Sequence, residues 1–287
     1  MATVFSRIRL APPSSSSPSF HRSLPPPLSS ARMSASPTTT LCLLALSVVL
    51  AAVSVKGGLD TDRVRLIDVS ASGSNFLFRG NEPVSSKTFQ WDLLTTTMAS
   101  VAGAANRTMP STFRIIDVCL LNVAEYGDMH VEEEYFEKNP THGTFVNWPT
   151  IGSLIDPQVM TNNMTELEHL AKTLDSWSFD KVPDRMQELY AMLNKPYDVP
   201  TALYIHCEAG EDRTGEMSGS YYMKHLNWTY AEALTYDNHI EKRNIKWMSK
   251  NGLAWYCFFL KYAEGQSSRD CMDPPPSAGR LSIPAKK

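Results

Sequence analysis

The chain reads as an α/β fold with a mainly parallel central sheet and helices on both faces, and three observations predict it. Residues 112–122 (TFRIIDVCLLN) and 201–207 (TALYIHC) are apolar, β-branched runs without polar alternation, the pattern of strands covered on both sides. Between them, residues 183–194 (PDRMQELYAMLN) open on proline and place Met186, Leu189, Tyr190 and Leu193 at i, i+3, i+4 and i+7, one apolar helix face. After Arg213, residues 214–226, 229–242 and 252–263 read as three further helices. Strand, helix, strand and then a helical run is the order that joins parallel strands through crossovers.

From the amino terminus, residues 1–59 read as a targeting segment. Residues 1–40 are rich in Ser, Pro and Arg (PPSSSSPS, LPPPLSS) and cannot bury enough apolar surface to fold. Residues 41–55 (LCLLALSVVLAAVSV) follow, shorter than the span of about 20 that crosses a bilayer and closer to a secretory apolar region, with Ala52 and Ser54 as a small-x-small cleavage pattern. Three readings stand side by side: a cleaved signal peptide, an uncleaved membrane anchor, and an acid-free plastid or mitochondrial transit peptide. The sequons at Asn106, Asn163 and Asn227 favour the secretory route and a glycoprotein. Residues 60–264 read as one globular domain without internal repeat, and residues 265–287, with DPPPSAG and PAKK, as a disordered tail.

Charge narrows the partners. Residues 1–59 carry five basic residues and no acid, so 22 of the 27 basic and all 30 acidic residues fall in the remainder, a formal charge of −8. An acidic domain of this kind disfavours nucleic acid as a partner. The five cysteines form no CxxC pair and no metal-type Cys/His spacing, so no metal site is expected. Cys257 and Cys271 are read as two free thiols rather than a bridge.

The functional signal is LYIHCEAGEDRTG, residues 203–215. In an open α/β sheet, ligands bind beyond the carboxyl ends of the strands, where a following helix offers unpaired N–H groups. Cys207 stands at such a junction. The loop Glu208, Ala209, Gly210, Glu211 and Asp212 returns to Arg213 and can curl its amides round a tetrahedral anion, with Gly210 permitting the tight backbone. Arg213 can hold two oxygens in a fork that lysine cannot reproduce. Amide dipoles and a guanidinium favour a thiolate, so the same setting makes a nucleophile.

HCEAGEDRT, residues 206–214, resembles the HCxxxxxR[ST] phosphate-binding loop of the cysteine-dependent protein tyrosine and dual-specificity phosphatases. Residues 75–84 (NFLFRGNEPV) are similar to the opening segment of the atypical dual-specificity members, and residues 252–263 are placed like their closing helix. The resemblance implies a phosphatase-type loop between a strand and a helix, with Cys207 attacking phosphorus, Arg213 binding phosphoryl oxygens and Thr214 easing departure of the thiolate. It also implies that His206 positions the loop, that a phosphocysteine forms, and that neither cofactor nor metal is required. An aspartate from a loop ahead of the helix leading to the cysteine strand would protonate the leaving group. Asp180, in WSFDKVPD at residues 177–184, takes that role first, Asp212 second and Asp156 third, while Thr150 stands where NWPTIG would otherwise offer an acid.

A phosphorylated protein or peptide, above all a phosphotyrosyl one, is the expected substrate. Glu208, Glu211 and Asp212 would repel additional phosphates, and the acidic run at residues 125–137 is either a solvated face or a seat for a basic peptide. Two alternatives remain open: an inositol phosphate or phosphoinositide phosphatase, because HCEAG also opens phytase-like loops, and an inactive phosphoprotein-binding domain.

Overall fold

The computed structural model describes residues 57–274. Residues 1–56 of the targeting segment read at 1–59, and the last 13 residues of the expected tail, lie outside them. The central sheet has five strands in the order β1 (Arg65–Val69), β2 (Phe76–Asn81), β7 (Thr201–Cys207), β5 (Arg114–Cys119) and β6 (Gly143–Asn147). β1 runs antiparallel to β2, and β2, β7, β5 and β6 are parallel to one another. A small hairpin pairs β3 (Val84–Ser85) with β4 (Thr88–Phe89). Every residue of β2 and β7 is buried, which explains why the runs that encode them lack polar alternation.

Helices cover both faces. On one, Leu94, Met98 and Ala102 of α1 (Trp91–Ala104) and Phe136 of α2 (Tyr126–Lys138) pack with Phe76, Phe78, Ile115 and Tyr204. On the other, α3 (Met164–Lys172), α5 (Val182–Asn194), α6 (Asp212–His225), α7 (Tyr230–Glu241) and α8 (Trp247–Tyr262) enclose Leu77, Val118, Leu203 and Ile205, with the short α4 (Leu174–Trp177) beside them. Among the described residues no helix is long and apolar enough to cross a membrane. Asn106, Asn163 and Asn227 are all exposed.

Two expectations need correction. Cys257 and Cys271 are joined by a disulfide across 14 residues of sequence, not left as free thiols. The physical reason is tertiary: Cys257 faces inward from α8, and the chain beyond the helix folds back over it, leaving Cys271 1% exposed. The packed fold therefore runs past Glu264. Tyr230 donates to Asp273 at 2.8 Å and Gln158 donates to the Cys271 carbonyl at 2.9 Å.

Candidate active site

Because four strands are parallel, the backbone leaving β2, β5, β6 and β7 emerges at one edge of the sheet. Glu82, Leu120, Trp148 and Glu208 begin those four exits. Cys207 is the last residue of β7, and α6 starts at Asp212, so Arg213 lies in the first helical turn rather than ahead of it.

The loop between them is held from outside. Its carbonyls at Cys207 and Glu208 accept from the Glu82 N–H at 2.9 and 3.3 Å. The Ala209 carbonyl accepts from Arg63 at 2.7 Å, and the Gly210 carbonyl from the buried Arg79 at 3.0 Å. Arg79 is itself fixed by Asp237 at 2.6 Å and Ser218 at 2.9 Å. The C=O and N–H of a trans peptide point in opposite directions. Drawing the Glu208 and Gly210 carbonyls outward therefore turns the N–H groups of Ala209 and Glu211 inward, the arrangement of an anion nest. Gly210 has φ +68°, and a Cβ there would lie 2.6 Å from the backbone of Gly80 and Asn81, so glycine is required on two counts.

Cys207 is 2% exposed, at the floor of this loop. The Thr214 hydroxyl donates to its Sγ at 3.2 Å. Arg213 donates through Nη1 and Nη2 to the two carboxylate oxygens of Glu125 at 2.5 and 2.7 Å, a bidentate pair that orients the guanidinium. Burial opposes ionisation of Glu125, but the bonds and charge of Arg213 hold it below its usual range. Sequence reading missed this residue, because it stands at the head of an acidic run that resembles a solvent-facing stretch.

The loop acids are not bare. Glu211 pairs with Arg63 at 2.6 Å and with Arg243. Asp212 accepts from both terminal nitrogens of Arg243 at 2.9 Å and from the Lys246 N–H at 2.6 Å. The expectation that these acids repel additional phosphates is corrected accordingly: basic partners offset Glu211 and Asp212.

None of the three candidate aspartates has a free carboxyl. Asp180 is 1% exposed, and its two oxygens accept the N–H groups of Ile151 and Gly152 at 2.9 and 2.6 Å. It anchors the segment after β6, where Arg185 donates to Thr150 Oγ1 and to the Pro149 carbonyl, both at 3.0 Å. Asp212 is held ionised: burial works against this, but Arg243 and Lys246 outweigh it and lower its pKa. Asp156 caps a 3-10 helix, accepting from the Gln158 N–H at 2.9 Å. Glu82 differs. Burial first, then the carboxylates of Asp128, Glu208, Glu125 and Asp117, push it from 4.5 up to about 8, so it is a carboxylic acid at neutral pH directly beside the loop.

His206, fully buried, projects from the opposite side of β7 to Cys207. A separate cleft of about 610 Å³, lined by Arg114, Gly143, Lys195 and Thr201, lies at the amino ends of β5, β6 and β7, away from this loop.

No family model matches the chain, and no curated protein does. Among solved structures it is similar to the crystal structure of P. aeruginosa TpbA, with 14% identity, 77% of this chain and 96% of that chain covered, and a TM-score of 0.32. A superposition that loose has no bearing on the chemistry of the loop.

Proposed function

We propose that the protein is a phosphomonoesterase working through a phosphocysteine, with phosphotyrosyl proteins or peptides as its substrates. The observation that carries the reading is the Thr214 hydroxyl bonded to the Cys207 sulfur, with Arg213 in the same first turn of α6. The Cys207 thiolate attacks phosphorus, the S–P bond forms, and the ester P–O bond breaks. The leaving oxygen takes the proton of Glu82. Water then attacks the phosphocysteine, returning a proton to Glu82 and releasing inorganic phosphate and the thiolate, which the Thr214 hydroxyl stabilises by hydrogen bonding. Asp180 is assigned to positioning, since its carboxylate is committed to two backbone amides.

A second reading, an inositol phosphate or phosphoinositide phosphatase, is favoured by Arg63, Arg243 and Lys246 beside the loop. A panel containing a phosphotyrosyl peptide and an inositol polyphosphate separates the two by kcat/KM. For the mechanism itself, Cys207→Ser is expected to abolish turnover of an aryl phosphate while vanadate still binds, because the loop amides and Arg213 remain. Undiminished turnover in that variant would exclude the covalent route.

A further inference from the structure

On the face of the sheet opposite Cys207 lies a group of side chains that the proposed reaction does not use. Cys119 ends β5, and His206 stands opposite it in the β5–β7 register. Asp117 lies two residues earlier on β5, so the three project from the same face. α2 packs against that face and supplies Glu132. All four residues are 0% exposed.

The donor atoms of Cys119, Glu132 and His206 lie within 4.8 Å of one another. His206 Nε2 is 3.0 Å from Asp117 Oδ1 and 3.4 Å from Glu132 Oε2. Despite these distances, both oxygens of Asp117 and both ring nitrogens of His206 lack hydrogen-bond geometry to any partner, and Glu132 has a side-chain contact with the Cys119 thiol. About nine in ten buried polar groups are satisfied, so so many orphaned atoms in one place call for something that uses them together.

The donor types say what that would be. Sulfur, imidazole nitrogen and carboxylate oxygen are the ligands of zinc-class ions, whereas magnesium and calcium take oxygen. Donors about 2.0–2.3 Å from a shared ion lie at most roughly 4.6 Å apart, so small side-chain rotations close the site. We infer that Cys119, Glu132 and His206 form a structural site for one zinc-class divalent ion, with Asp117 as the adjoining carboxylate. Loading displaces the Cys119 thiol proton to solvent. The ion ties β5, β7 and α2 together one residue ahead of Cys207 and takes no part in the attack on phosphorus.

The test uses the full chain carrying Cys42→Ser and Cys207→Ser, in which Cys119 is the sole thiol outside the Cys257–Cys271 bridge. After incubation with excess zinc and gel filtration, one equivalent per chain is expected by elemental analysis. X-ray absorption should show one sulfur neighbour together with nitrogen and oxygen. Cobalt should give a thiolate-to-metal charge-transfer band that disappears on adding Cys119→Ser, and Glu132→Gln should lose the bound equivalent. Should those variants fail to fold, the parent still decides: no retained zinc, or retained zinc without a sulfur neighbour, overturns the site. A cobalt–thiolate band that persists after Cys119→Ser overturns it equally. None of these readouts depends on phosphatase activity, so the site and the proposed reaction fail or stand separately.

Discussion

Glu82 and Asp180 are both carboxyls that burial drives upward in pKa, yet their surroundings fit them for different tasks. Asp180 accepts two backbone N–H bonds, so Asp180→Asn removes an anchor. It is expected to slow a phenyl phosphate and an ester with a far more acidic leaving group by similar factors. Glu82→Gln should instead show leaving-group dependence, with a loss of about 10²- to 10⁴-fold on the poor leaving group and much less on the good one. Measured in chelator-treated protein, it should also abolish the alkaline limb near pH 8. Leaving-group dependence in Asp180→Asn alone would reverse the two assignments. Linkage gives an independent check. The folded pKa of Glu82 lies above its unfolded value, so the folded state binds the extra proton between about 4.5 and about 8 and its stability falls as pH rises through that window. Glu82→Gln should remove about one proton from that slope. Asp180 was legible as a loop aspartate before a helix-starting proline, but its partners Ile151 and Gly152 are 29 and 28 residues earlier, beyond what local spacing reveals.

At the scale of the element, the segment from Glu125 through α2 shows what charge patterning conceals. A run of acids reads as one solvated face, but Glu125 clasps Arg213 and Glu132 is fully buried, while Glu133, Glu134 and Glu137 are exposed or nearly so. Composition cannot separate the two kinds, because burial is decided by which side meets the sheet. If Glu125 sets the guanidinium, Glu125→Gln should weaken vanadate binding roughly tenfold, the scale of a charged hydrogen bond, with an unchanged fold by circular dichroism. Equal affinity would remove Glu125 from the site. The segment after α8 was misread for a related reason: its Pro-rich end hid a packed portion closed by Cys271. Cys257→Ser should cost about 3 kcal/mol in denaturant unfolding, the chain-entropy value for a loop of this size. A cost near zero would mean that the packing around Asp273 and Gln158 holds the segment without the bridge.

For the molecule as a whole, the parallel sheet was legible because β5 and β7 carry continuous apolar runs that only a doubly covered strand explains. β1 was not singled out, since its half-buried edge position leaves Arg65 and Asp68 in the pattern. The candidate nucleophile and its loop stood out for the opposite reason: Cys207, Gly210, Arg213 and Thr214 lie within eight residues, so one strand-to-helix turn brings them together without help from distant sequence. The supports are what the fold adds, with Arg63, Arg79, Glu82 and Glu125 arriving from three other segments. The most direct test of the central claim is rapid acid quench of the wild-type protein with an aryl phosphate, followed by peptide mass spectrometry. One phosphoryl group is predicted on the peptide containing Cys207, accumulating further in Thr214→Ala because the thiolate leaves more slowly. Turnover that proceeds with no phosphoryl group on Cys207 in either protein would contradict the account.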